Sequence, residues 1–143
     1  MIGKTLFAMA AILGTIAPSG AETVRSLVGE WTITVQDSDC QFGGYATVRQ
    51  REDGYSADVT MRHVCPMYFA DGFTARQSSK ITIMNNQVSV RSKVIEVTPA
   101  SGGAYAPDHF ALTMQSDSRL FGTHFDQYGS NPAEWVRSEA GTS

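Results

Sequence analysis

Leu27-Val28-Gly29-Glu30-Trp31-Thr32-Ile33-Thr34-Val35 is the stretch from which the fold is read. From Trp31 onward the large apolar residues Trp31, Ile33 and Val35 alternate with Thr32 and Thr34, the period of two that marks a strand with one buried face. A helix would not place these residues on one side. Gly29, two positions before the indole, permits the bend or close backbone approach that a broad ring needs to tuck beneath neighbouring strands.

Upstream of this strand, residues 1–21 read as an export signal. Lys4 supplies a positive start, Leu6 to Ile16 is an apolar run, and Pro18-Ser19-Gly20-Ala21 ends in small residues suited to cleavage after Ala21. The run is too short to span a membrane, which takes roughly 20 apolar residues, and no later segment approaches that length. The expected product is one domain over residues 22–143, periplasmic or secreted, with no membrane span. Its length of about 122 residues is enough for a single buried core.

The whole chain has 11 Lys/Arg against 14 Asp/Glu. Removing Lys4 makes the product one unit more negative. The signs are interspersed along the sequence, so no clustered basic face for nucleic acid is expected. Cys40 and Cys65 are the two cysteines, and in an oxidising compartment an even pair reads as one disulfide.

Downstream, turn signals divide the chain into hairpins. Placing Asp53-Gly54 in a two-residue turn aligns Val48 with Val59 and Ala46 with Met61; placing Asn85-Asn86 in another aligns Ile83 with Val88 and Ile81 with Val90. A turn at Ser116-Asp117-Ser118-Arg119 aligns Met114 with Phe121, Leu112 with Thr123 and Phe110 with Phe125. A last strand, Ala133 to Ser138, follows Asn131-Pro132. The count is about eight strands with no convincing helix, and a chain of hairpins each with one apolar face hides that face and its edges by closing into an up-and-down barrel. The expectation is an all-β, single antiparallel barrel with one disulfide. Pro66 to Phe73 and Thr98 to Asp108 interrupt the pattern and read as loops.

Gly29-Glu30-Trp31 resembles the Gly-x-Trp signature of the lipocalin and calycin barrels, and Arg137 is placed like the arginine that packs over that tryptophan in such folds. The resemblance makes Gly29, Trp31 and Arg137 the barrel floor. Among exported bacterial proteins the chain is similar to the alkaline protease (metalloprotease) inhibitor family, which joins a Gly-x-Trp strand to a cysteine nine positions on, here Cys40, and closes a disulfide to a later strand, here Cys65. That resemblance implies an inhibitor of a secreted protease acting through a segment ahead of the barrel, here Glu22, Thr23, Val24, Arg25 and Ser26. This arm is short for the role.

Other roles are carried by the residues themselves. A carrier of a small apolar ligand would line its cavity with Met61, Phe110, Leu112, Met114 and Phe125. An envelope interaction module with no small ligand would offer the aromatic segment of Tyr68, Phe69 and Phe73 to a partner protein, unless that segment folds back over the barrel end. By the same hairpin register His109 and His124 point outward. His63, Cys65 and Met67 form a soft-donor set, but Cys65 is better used in the disulfide, so neither a metal nor another cofactor is expected. No nucleophile elbow, zinc-protease helix, phosphate loop or Cys-x-x-Cys pair is present. A binding protein, not an enzyme, is therefore the expectation.

Overall fold

The computed structural model describes residues 26–67, 69–99 and 105–138, with the backbone alone at Phe69 and Ala70. Residues 1–21, which the sequence reads as an export signal, and Glu22, Thr23, Val24, Arg25 and Tyr68 lie outside the described residues. Eight strands follow one another: β1 (Gly29–Val35), β2 (Gln41–Arg51), β3 (Gly54–Cys65), β4 (Phe69–Met84), β5 (Gln87–Thr98), β6 (His109–Ser116), β7 (Arg119–Asp126) and β8 (Gly129–Arg137). Each pairs antiparallel with the next, and β8 returns to β1 through Trp31 opposite Arg137 and Ile33 opposite Trp135, closing the barrel. Closure gives every strand a neighbour on both sides, although β6 pairs with β5 only over Gln87 to Val90.

The turns after β2, β4 and β6 meet the start of β1 and the end of β8 at one end of the barrel, and the connections after β1, β3, β5 and β7 meet at the other. The first end is sealed. Trp31 is fully buried, its indole N–H donates to Leu27 O at 2.9 Å, and the Arg137 guanidinium lies 4.4 Å over its ring. Arg137 also donates to the carbonyls of Val28, Ser26 and Asp117 at 2.8–3.1 Å, tying three segments across the end. Gly29 has φ +133°, and a Cβ there would sit 3.0 Å from Arg137 Nη1. The floor thus needs a glycine beside the arginine.

Inside, large side chains are interleaved with small ones. Trp31, Trp135 and Phe110 come from β1, β8 and β6, with Trp135 meeting Phe110 edge-on at 5.3 Å. Ala46, Ala57 and Ala75 on β2, β3 and β4 are buried with them, Ala46 directly beside Trp31, and Val48, Val59, Met61 and Ile81 complete the packing. Big against small fills a narrow barrel without strain. Gly44 is small for a stricter reason, since a Cβ there would approach Thr60 O to 1.8 Å on the paired strand.

Registers show where the local reading holds and where it slips. The Asn85-Asn86 hairpin has the expected pairs, Ile83 with Val88 and Ile81 with Val90, and Asn85 takes the positive φ that such a turn uses. The preceding hairpin turns at Glu52-Asp53 instead, pairing Arg51 with Gly54, Val48 with Ala57 and Ala46 with Val59. This differs from the expected alignment by two residues, so the same side chains still face inward.

The β6–β7 hairpin corrects the expectation. Ser116 pairs with Arg119 as the turn requires, but Gln115 bulges and Met114 then pairs with Leu120, Leu112 with Gly122 and Phe110 with His124. One inserted residue reverses every facing beyond it. Leu120 and His124 are therefore buried, and Phe121, Thr123 and Phe125 turn outward. Elsewhere Phe69 opens β4 rather than a loop, pairing with Cys65, and β8 starts at Gly129, ahead of the expected Ala133.

Trp31→Ala is expected to cost about 3 to 5 kcal/mol, since a fully buried indole is lost from a floor with nothing to collapse into it. Gly44→Ala is expected to cost about 1 to 3 kcal/mol through the forced approach to Thr60. Urea unfolding of both variants against the parent measures both values.

Candidate functional site

Every strand alternates, so the inward position nearest the open end of each contributes to a rim. Asp37 stands just past β1, Phe42 in β2, His63 in β3, Asp108 just before β6, His124 and Asp126 in β7, and Asn131 in β8. The Cys40–Cys65 disulfide, with Cα atoms 4.2 Å apart, straps the β1–β2 connection to the end of β3 at this rim. Closing a loop of that size stabilises by about 3 kcal/mol on the chain-entropy estimate.

Aromatic packing organises the rim. The Phe42 ring has His63 stacked on it at 4.0 Å with the planes 8° apart, and His124 meets it edge-on at 4.8 Å. Beneath them is a buried polar cluster. Asp108, 1 % exposed, accepts from His124 Nε2 at 2.7 Å through Oδ1, and through Oδ2 from Gln77 Nε2 at 2.7 Å and the Tyr105 hydroxyl at 2.9 Å. Gln77 Oε1 in turn accepts the Asp108 backbone N–H at 2.9 Å. Removing a carboxylate from water is tolerable only with its acceptor sites filled, and here three side chains fill them. Burial, with the negative charge of Asp108 and the hydrogen bond Tyr105 gives it, pushes the Tyr105 phenol far above its ordinary range.

The rim surrounds a pocket of about 330 Å³ lined by Asp37, Phe42, His63, His124, Asp126, Tyr128 and neighbouring β8 residues. His63 Nε2 faces Asp37 Oδ2 across 3.7 Å. Burial lowers the affinity of His63 for a proton, partly opposed by Asp37. His109, on the outer wall, is lowered by burial and then by Arg91; its Nδ1 accepts the Ser92 N–H at 3.1 Å. A second, outer groove is flanked by Arg51, Lys80, Arg91 and Lys93, which sequence order had kept apart, and Asp53 lies 3.7 Å from Lys80 there.

Two groups of side chains have metal-ligating geometry among the described residues. Cys40, His63 and Cys65 are one, but both sulfurs are consumed in the disulfide. Asp108, His124 and Asp126 are the other, with ligand atoms within 4.8 Å of one another.

The residues singled out from sequence fall in several places. Gly29, Trp31 and Arg137 stand together at the closed end. Met61, Phe110, Leu112 and Met114 belong to the packed apolar core below the rim. Phe125 is corrected to the outer wall, under the Arg91 guanidinium at 4.9 Å and beside His109 at 5.4 Å, because the Gln115 bulge turns it out. Ser26 is not part of a free arm, since Arg137 holds its carbonyl at 2.9 Å. Phe73 is half-buried opposite His63 on β4.

Sequence reasoning missed the Asp108–His124–Gln77 cluster. His124 was assigned the outer face and Asp108 a loop. One signal was present: Gln77 occupies an inward position between Ala75 and Ser79 on β4, and a polar residue on a buried face requires a partner.

No protein-family model matches the sequence, and no curated protein matches it either. Among solved structures the chain is similar to the redesigned β-barrel mFAP1 bound to DFHBI, with 14 % identity and TM-score 0.56 over 83 % of this chain and 98 % of that one. It is also similar to a de novo designed fluorescence-activating β-barrel, with 13 % identity and TM-score 0.55 over 83 % and 97 %, and to another redesigned β-barrel, with 20 % identity and TM-score 0.57 over 84 % and 96 %. At these identities the likeness shows the fold alone, a small closed β-barrel.

The lowered proton affinity of His63 and His109 sets a pH dependence. Below about pH 6.5 the unfolded chain binds protons that the folded chain resists, so stability is complete above that pH and is lost as pH falls through the folded-state values. His63→Gln is expected to narrow the difference between the urea midpoints measured at pH 7.5 and pH 5.5. An unchanged difference would mean that His63 titrates alike in both states.

Proposed function

We propose that this protein is an exported small-molecule-binding barrel that takes its ligand at the end opposite Trp31. The observation that carries the reading is the rim pocket of about 330 Å³, whose size lies in the range of small-ligand sites and whose lining combines aromatic faces with a few convergent polar groups. The ligand chemistry follows from that lining. Phe42, His63 and Tyr128 offer flat ring surfaces, and Asp37 and Asp126 offer acceptors, so the site favours a small planar molecule carrying hydrogen-bond donors or a positive charge over a purely apolar one. Met61, Phe110, Leu112 and Met114 then act as the packed floor beneath the ligand.

The designed barrel mFAP1, with the same fold, is bound to DFHBI, which supports the capacity of such an architecture to hold one small molecule. The protease-inhibitor reading draws on Gly29, Trp31 and the spacing to Cys40. Those residues already have work in closing the floor and strapping the rim, so barrel construction accounts for them without a protease. Export rests on the Lys4-to-Ala21 pattern, and a non-catalytic role on the want of any assembled nucleophile in the sequence.

Protein purified without denaturation and extracted into organic solvent is expected to release a small molecule detectable by mass spectrometry. Thioflavin T, a planar cationic dye, is expected to bind the protein refolded after that extraction at one equivalent with enhanced emission. Asn131→Trp, which fills the rim from β8, is expected to weaken that binding at least about 10-fold, equivalent to about 1.4 kcal/mol, with little change in the thermal midpoint. Bare polypeptide together with dye binding indifferent to Asn131→Trp would overturn the reading. Stoichiometric inhibition of a secreted metalloprotease by the same preparation would return the inhibitor to first place.

A further inference from the structure

The second group of ligating side chains at the rim has a property that the small-molecule reading does not use. His124 is 1 % exposed, and its two ring nitrogens are in different situations. Nε2 is 2.7 Å from Asp108 Oδ1. The carboxylate can only accept there, so Nε2 carries the proton and the lone pair is left on Nδ1. Nδ1 is buried and has no hydrogen-bond partner among the described residues, although the ring lines the rim pocket. A buried, unfilled acceptor at a pocket wall is costly unless something occupies it.

Carboxylates stand close to this ring, since ligand atoms of Asp108, His124 and Asp126 lie within 4.8 Å of one another. Asp126 follows two positions on along β7, on the same face, and its Oδ1 is held by the backbone N–H groups of Tyr128 at 2.8 Å and Gly129 at 3.1 Å. Its other oxygen makes no hydrogen bond within the described residues. Asp37 and His63 line the same pocket. Behind His124, Asp108 is itself locked by Gln77 and Tyr105. An imidazole whose far N–H is fixed by a carboxylate, with that carboxylate fixed in turn, is the arrangement that orients a metal-binding histidine and raises its basicity.

The geometry points to a site for a first-row divalent transition-metal ion at the barrel rim, held by His124 Nδ1 and Asp126 with water completing the coordination, and with Asp108 as the positioning residue behind His124. A nitrogen donor among carboxylates selects Zn²⁺ or Cu²⁺ over Ca²⁺ or Mg²⁺, which prefer oxygen alone. The cysteines take no part, because their sulfurs are bonded to each other. This inference goes beyond the small-molecule reading and stands without it.

The test uses untagged protein with its disulfide intact, titrated calorimetrically with Zn²⁺ and separately with Cu²⁺. One equivalent is expected to bind saturably, and the Cu²⁺ complex is expected to show imidazole nitrogen coupling in its electron paramagnetic resonance spectrum. Asp126→Asn, at a partly exposed position, is expected to weaken binding at least about 10-fold, and Asp108→Asn about 10- to 100-fold while nitrogen coupling persists in whatever Cu²⁺ binds. Asp39→Asn, on the exposed connection after β1, is expected to change nothing. Should Asp108→Asn fail to fold, Asp126→Asn and Asp39→Asn decide the matter. No saturable binding, binding indifferent to Asp126→Asn, or Ca²⁺ bound as tightly as Zn²⁺ would each overturn the site. Dye binding by Asp108→Asn, whose side chain lies behind His124 and outside the pocket lining, separates a failure of the metal site from a failure of the organic-ligand site.

Discussion

The closure of β8 on β1 over Trp31 is the contact from which the other features of the barrel follow. A buried indole must satisfy its N–H, cover both ring faces and leave no void, and here Leu27 O, the Arg137 guanidinium and Trp135 meet those needs together. Arg137 contributes packing and hydrogen bonds through one planar group, stacking on the ring while its edge reaches three carbonyls. A lysine, with a point charge on a flexible stem, would supply neither the plane nor the fork. With that end closed, the other end is the one at which the barrel can admit something.

Polar groups are distributed along the barrel accordingly. The closed half holds apolar side chains, among them Trp31, Trp135, Leu120 and Ile81. Near the open end Gln77, Asp108 and His124 replace them, each buried and joined in one network. Such a network adds little to stability compared with apolar packing of the same volume, because desolvating a carboxylate offsets most of what its hydrogen bonds return. Its effect is to hold ring and carboxylate orientations with little freedom at the wall of a pocket, which is a requirement of binding sites more than of cores. The Cys40–Cys65 strap restrains the same rim from the opposite side.

Much of this was legible in the residues. Trp31, Ile33 and Val35 announced a strand, Asn85-Asn86 announced its turn and register, and the resemblance of Gly29-x-Trp31 to the lipocalin signature brought Arg137, about a hundred residues away, to the right ring. The Glu52-Asp53 turn lies one residue ahead of the expected Asp53-Gly54, which shifts the pairing by two without consequence, since a shift of two leaves facing intact. At the Ser116 to Arg119 turn the register was right and the strand beyond it was wrong, because Gln115 adds one residue to β6 and nothing in its identity marks it as a bulge. That single residue exchanged Phe125 for His124 on the inner wall.

The sequence by itself determined the strand class, the approximate strand number, the tryptophan floor and the cysteine pair, because period-two burial, turn chemistry and pairing of the only two cysteines depend on residue type and short spacings. Only the tertiary structure decided what the open end contains. Asp108 reaches His124 across a strand pair, Gln77 comes from β4, and Phe42 and His63 come from β2 and β3. Their meeting depends on shear between strands, on barrel closure and on one bulge, and each of these is a balance summed over many contacts rather than a property of any short stretch.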